Sequence, residues 1–401
     1  MRYGYLLWIV ALAAAMPLTL NNVDSNPYLR FGSNGKFSIT VSNDLHLGEK
    51  DNAEGDHKII GVTNSILDYK YSDMVVLNDD LITCDGLTTE HAIPLIDQIT
   101  KPLIDRNTPF AATFGNHDMS PGCSTRAMSE HMWSIQGNNG KRLSFTTSSV
   151  EGSYNEVGTS NYYLPIHSSD GSRLVLMLYF FDSKGGTDVL DSVDDKVTAW
   201  FRCLQTAVKF FGHIPSLALV HIPIYATWAM QDKLLIDVST SPGLNRELIN
   251  HQGNQRHTCD KDGKNCKYAG LDKPFMEELV KTEGLMAVFF GHNHRVEYAM
   301  TFDIQDHLLT CGSFCAKWSM DLANNEPMNG NGLNICFNRK SGYGGYSGWT
   351  HGGFQQIVID ESRLPNKDID TWIRLEDGNI SGSITLNSTC GTDCYPPVAI
   401  V

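Results

Sequence analysis

Short runs that are almost wholly apolar alternate along this chain with longer amphipathic stretches, and most of those runs end in polar residues. Lys36 to Ser42 (Lys-Phe-Ser-Ile-Thr-Val-Ser) alternates and is β-branched, which predicts a strand. His57 to Tyr69 carries Ile59, Ile60, Val62, Ile66 and Leu67 at helical spacing. Met74 to Leu77 predicts a second strand, His91 to Ile104 a second helix, and Phe110 to Phe114 a third strand. Strand, helix, strand, helix, strand, with each strand nearly all apolar, predicts a buried and mostly parallel sheet. Further along, Arg173 to Phe181, Leu217 to Val220, Leu285 to Phe290, His307 to Thr310 and Phe354 to Ile359 predict strands. Helices are predicted near Ser129 to Trp133 and over Val197 to Phe211 and Lys273 to Lys281.

The chemistry collects where the strands stop. Asp44 and His46 follow the first strand, two residues apart, so on an extended strand end both point the same way. Asp79 and Asp80 follow the second. Gly115-Asn116-His117-Asp118 follows the third, His221 follows Val220, and Gly291-His292-Asn293-His294 follows Phe290. Ligand sites in open α/β sheets lie along the carboxyl edge, so five clusters there are unlike solvated loops. Carboxylate, imidazole and amide oxygens from five strand ends make a mixed N/O set suited to two divalent ions such as zinc, manganese or iron. Two ions sharing one carboxylate are a known device for phosphoryl chemistry.

Composition narrows the reading. The chain has 401 residues, 41% hydrophobic and 19% charged, so it is globular. Formal charge is −14, which disfavours a protein that grips nucleic acid through surface lysine and arginine. Leu6 to Ala15 is about the length of a signal-peptide core and too short for a comfortable bilayer span, and Ala13-Ala14-Ala15 offers a cleavage pattern. Residues 1–15 are therefore expected to be a signal peptide and 16–35 an N-terminal arm, giving a secreted protein with no stable membrane span. Ten cysteines fit an oxidising destination. Cys259 with Cys266 and Cys390 with Cys394 are spaced as local disulfides, and Cys311 with Cys315 could pair around a metal. Asn379-Ile380-Ser381 and Asn387-Ser388-Thr389 are glycosylation sequons.

The ordered blocks Asp-x-His, Asp, Gly-Asn-His-Asp, His and Gly-His-x-His, running from about residue 36 to 296, resemble the calcineurin-like metallophosphoesterase superfamily, which includes the purple acid phosphatases. Val76-Leu77-Asn78, Val220-His221-Ile222-Pro223 and Gly342-Tyr343-Gly344-Gly345-Tyr346 are similar to secreted fungal-type members. The resemblance implies a four-layer α/β/β/α sandwich with two mixed β-sheets over residues 36–362. Residues 226–272 would be an insertion and 363–401 a β-rich C-terminal extension. It implies Asp44, His46 and His294 on one metal, Asp80 bridging, and Asn116, His221 and His292 on the second. It gives His117 the leaving-group oxygen, as general acid or electrostatic stabiliser, with Asp118 orienting its ring. The expected reaction is hydrolysis of a phosphate ester by metal-bound hydroxide, in a monomeric protein.

Two residues depart from the family's pattern. Asp79 stands where glycine is usual, and Thr83 stands where purple acid phosphatases carry a tyrosine iron ligand. A phosphodiesterase, nucleotidase or phospholipid-headgroup hydrolase would use the same site, and a non-catalytic binding protein could keep the scaffold. A serine hydrolase is not indicated, because no Gly-x-Ser-x-Gly elbow is present.

Overall fold

The computed structural model describes residues 28–186, 189–232, 249–253, 268–294, 314–318, 321–322, 328–345, 351–390 and 392. The predicted signal, the strand at His307 to Thr310, and Cys259, Cys266, Cys311 and Cys394 lie outside these residues.

The first sheet is built from β1 (Lys36–Asn43), β2 (Met74–Asn78) and β3 (Phe110–Thr113), which run parallel. Three antiparallel strands from the far end of the chain extend it: β10 (Gly353–Asp360), β11 (Ile369–Leu375) and β12 (Ile380–Leu386). Its order is β12-β11-β10-β1-β2-β3. The second sheet holds β4 (Tyr162–His167), β5 (Leu174–Phe181), β6 (Ser216–Val220), β7 (Leu285–Phe290), β8 (Phe314–Trp318) and β9 (Leu333–Phe337). Its order is β4-β5-β6-β7-β9-β8, with β5, β6, β7 and β9 parallel and an antiparallel strand at each edge. The residue pattern alone predicted a mostly parallel sheet; both sheets are mixed, because β4 and β8 at the edges of the second sheet and β10, β11 and β12 in the first join antiparallel.

Side-chain parity explains why the strands read as continuous apolar runs. Phe37, Ile39 and Val41 of β1 and Met74 and Val76 of β2 face the second sheet, meeting Leu176, Leu178 and Phe180 of β5. Val75 and Leu77 turn outward onto α1 (Ala53–Tyr69) and α2 (Thr89–Arg106) through Ile59, Ile66 and Ile96. Met177, Tyr179 and Phe181 turn outward onto α5 (Asp195–Val208) and α7 (Lys273–Lys281), where Phe201, Leu204 and Phe275 receive them. The central strands β2, β6 and β7 are buried on both faces, so period-2 alternation is lost in them. The result is helix, sheet, sheet, helix: the expected four-layer sandwich.

Shorter helices α3 (Thr125–Trp133), α4 (Tyr154–Val157) and α6 (Tyr225–Asp232) complete the described α-helices, beside 3₁₀ turns at Lys209–Phe211 and Glu361–Asn366. No described helix is long and apolar enough to cross a membrane. Disulfides join Cys84 to Cys123 and Cys315 to Cys336. Cys315 is therefore not half of a metal pair with Cys311: β8 and β9 lie side by side, and their register puts Cys315 opposite Cys336.

Candidate metal centre

The parallel strands β1, β2, β3, β6 and β7 all deliver their carboxyl ends to one edge of the sandwich, and all five sequence clusters meet there. The backbone bends sharply to bring them in. Asp44, His46, Asp79, Asp80 and His292 all have φ between 45° and 72°. They are five of the ten non-glycine residues in the left-handed region among the described residues, so strain is concentrated at this edge. Glycine is required where the loops touch. A Cβ on Gly115 would stand 2.2 Å from Asp80 Oδ1, and one on Gly291 would stand 1.8 Å from Asn43 Nδ2.

Asp44, His46, Asp80 and His294 form one group of convergent donor atoms, and Asp80, His221 and His292 form a second that shares Asp80. His46 Nε2 and His294 Nε2 are 3.1 Å apart, and His294 Nε2 is 3.1 Å from Asp44 Oδ1. In the second group, His221 Nε2 lies 3.0 Å from Asp80 Oδ2, 3.0 Å from Asn116 Oδ1 and 3.2 Å from His292 Nδ1. An imidazole N–H can point at only one of three such neighbours. Metal bonds of about 2.0–2.2 Å set adjacent donor atoms roughly 3 Å apart, which is the spacing found. Asp44 and Asp80 are fully buried, a heavy cost for two carboxylates without a cation. The donor set fits two divalent ions.

The protonation pattern agrees. Burial raises Asp44 and Asp80, but the imidazoles of His294 and His221 respectively outweigh it and hold both below the usual carboxylate range. Burial would lower His221, yet Asp80, Asp79 and Asp44 lift it to about 10. Burial and then the His221 cation pull His292 down to about 3. Without metal, His221 carries the positive charge the carboxylates demand; a bound cation takes over that task and needs the imidazole neutral.

Around these groups stands a supporting shell, most of which is not legible in sequence. Asn43 Nδ2 donates to Asp44 Oδ2 at 2.9 Å, while Asn78 Nδ2 and Asn338 Nδ2 donate to Asn43 Oδ1. Thr83 Oγ1 lies 3.2 Å from His46 Nδ1, so the residue replacing tyrosine sits on the outer nitrogen of a ligand candidate. Lys340 is buried with Nζ 3.4 Å from the Asp44 carbonyl, and burial pulls it down to about 8. The glycine-aromatic segment stands at the rim, with Gly342 N–H donating to the Asp44 carbonyl.

His117 is half-exposed at the mouth, its ring edge-on to His46 with centroids 4.9 Å apart. Its backbone N–H donates to Asp80 Oδ1 at 2.8 Å. Asp118 does not face that ring. Its Oδ1 accepts the N–H of Ile82 and its Oδ2 the N–H of Gly115, both at 2.9 Å. The expectation that Asp118 orients His117 is corrected here: its chain direction turns inward, where two loop amides need an acceptor. Burial, followed by the Asp80 charge, pushes Asp118 up to about 8.

A family model for calcineurin-like phosphoesterases matches residues 37–296. An Arabidopsis thaliana protein described as "Probable inactive purple acid phosphatase 14" is 23% identical over 397 residues, covering 88% of this chain and 84% of its own length. Phosphatase DCR2 of Saccharomyces cerevisiae is 26% identical over 233 residues, which is 54% of this chain and 38% of that protein. A dimetal phosphatase structure from Danio rerio is similar at a TM-score of 0.47 and 10% identity, covering 88% of this chain and 98% of that one. The family match spans well over half of the sequence and all five strand-end clusters, and the chain belongs to the calcineurin-like phosphoesterase family, hydrolases that act on phosphate esters.

Proposed function

We propose that this chain is a secreted hydrolase of phosphate esters working with two divalent ions, zinc, manganese or iron. Asp44, His46 and His294 would hold the first ion, Asp80 would be shared, and Asn116, His221 and His292 would hold the second. The observation that carries this reading is the pair of donor groups sharing one buried carboxylate. When bound, the ions supply Lewis acidity and lower the pKa of water at the site.

The chain's own residues do the rest. His117 has a half-exposed ring with no hydrogen-bond partner among the described residues, so it can meet a leaving-group oxygen and give it a proton. Its amide is tied to the bridging carboxylate, which fixes the acid relative to the ligands. Asp118 holds the two loops that carry them. Secretion is supported by the apolar N-terminal run, two disulfides, and an exposed sequon asparagine at Asn379.

A second reading, a non-catalytic secreted binding protein, draws on the word "inactive" in the description of the Arabidopsis relative and on Asp79. Turnover separates the two. Metal-loaded protein assayed with p-nitrophenyl phosphate and bis(p-nitrophenyl) phosphate is expected to hydrolyse at least one, to lose activity on chelation and to regain it with added ion. Protein that holds two ions and turns over neither supports the binding reading. A wider panel of nucleotides and phospholipid headgroups then names the substrate.

A further inference from the structure

Asp79 occupies a position where the family usually has glycine, and the structure says what the extra side chain meets. Its φ is 67°, a conformation glycine adopts freely and aspartate adopts at some cost. The side chain is fully buried. Its Oδ2 lies 3.7 Å from Nδ1 of His221, the outer nitrogen of the imidazole whose Nε2 faces Asp80 and Asn116. Neither oxygen of Asp79 has a hydrogen-bond partner, and neither does His221 Nδ1. Thr113 lies beside the carboxylate, but its hydroxyl donates to Asn78 Oδ1 at 3.2 Å. Two buried polar groups thus face each other across a gap slightly longer than a hydrogen bond, and a bond between them would offset the desolvation of both.

We propose that Asp79 is a positioning residue for His221: its carboxylate accepts the Nδ1–H, fixing the tautomer that presents Nε2 to the second metal position. A histidine that ligates a metal through one nitrogen commonly donates from the other to a carboxylate, and such partners hold ring orientation and raise ligand basicity. The same logic operates at His46, whose outer nitrogen has Thr83. The inference rests on the two-metal reading above. It turns the sequence departure at Asp79 from a defect into a local substitute for whatever orients this imidazole where glycine stands.

The test is a Zn²⁺ titration of the metal-free full-length protein by calorimetry, comparing wild type with Asp79→Gly and Asp79→Asn. Thermal melts of the metal-free proteins accompany it. Asp79→Gly restores the family's usual residue and relieves the left-handed backbone, so its Tm should stay level or rise. Its affinity for the second ion should nevertheless fall about 10–100-fold, with the first ion unaffected. Asp79→Asn keeps an oxygen acceptor and should recover part of the loss. Second-ion affinity within threefold of wild type in Asp79→Gly overturns the proposal, as does Asp79→Asn binding no better than Asp79→Gly. A lower Tm with both ions weakened together would mark a structural role and overturn it too. If wild type itself takes up fewer than two ions, the two-metal reading fails first.

Discussion

Asp118 follows His117 directly in the chain, yet its carboxylate faces the amides of Gly115 and Ile82. That distinction changes what a mutation should do. Asp118→Ala leaves two buried N–H groups without an acceptor, each worth roughly 1–3 kcal/mol, so thermal denaturation should show a clear drop in Tm. The acid limb of the kcat profile should stay where it was in whatever activity survives; a shifted limb with unchanged Tm would restore Asp118 to the orienting role. His117→Ala should keep both metals by elemental analysis while lowering kcat about 10²–10⁴-fold, and an emptied site would show that His117 is a ligand. At this scale the ligand candidates were legible in sequence, because Asp-x-His and His-x-His at strand ends announce themselves. The direction in which Asp79 and Asp118 point was not, since it depends in part on loops from other strands, Ile82 for Asp118 and His221 for Asp79.

Among the elements, the legible ones are those with long periodic or wholly apolar runs. The helix over Lys273–Lys281 and the strand over Leu285–Phe290 match the sequence reading residue for residue. Three strands went unrecognised for physical reasons. β4 contains Pro165, which a strand tolerates at the sheet edge where β4 sits. β8 and β9 are five residues each, and Gly330 and Gly332 precede β9 in a segment that reads as loop. The Cys84–Cys123 link was also hidden, because a separation of 39 residues gives no local signal. It joins the segment after Asp80 to the segment after Asp118, so it braces the loops that carry Asp80 and His117. Replacing both cysteines by serine should cost about 2–4 kcal/mol in denaturant unfolding. An unchanged midpoint would show that the loops are held without it.

For the whole molecule, the carboxyl ends of five parallel strands from two sheets converge on one edge, and the sandwich exists on this account to hold them. The rings of Tyr225, Trp228, His251 and Tyr268 pack together after β6, and His251 gives the cluster a pH response. Burial pulls His251 down to about 4, against the hydrogen bond it makes with the Gln252 carbonyl. The unfolded chain takes up this proton first as pH falls, so the contribution to stability is complete above about pH 6.5 and is lost progressively toward pH 4. The loss amounts to at most about 3 kcal/mol. His251→Phe should flatten that slope in melts run across the interval, and an unaltered slope would remove His251 as its source. The central claim, a two-ion phosphoesterase, meets its most direct test in metal content per chain, measured by elemental analysis on dialysed, reconstituted wild type beside Asp80→Ala. Two ions in the wild type and a loss of both occupancy and p-nitrophenyl phosphate turnover in Asp80→Ala are predicted; a wild type that retains one ion or none would contradict the account.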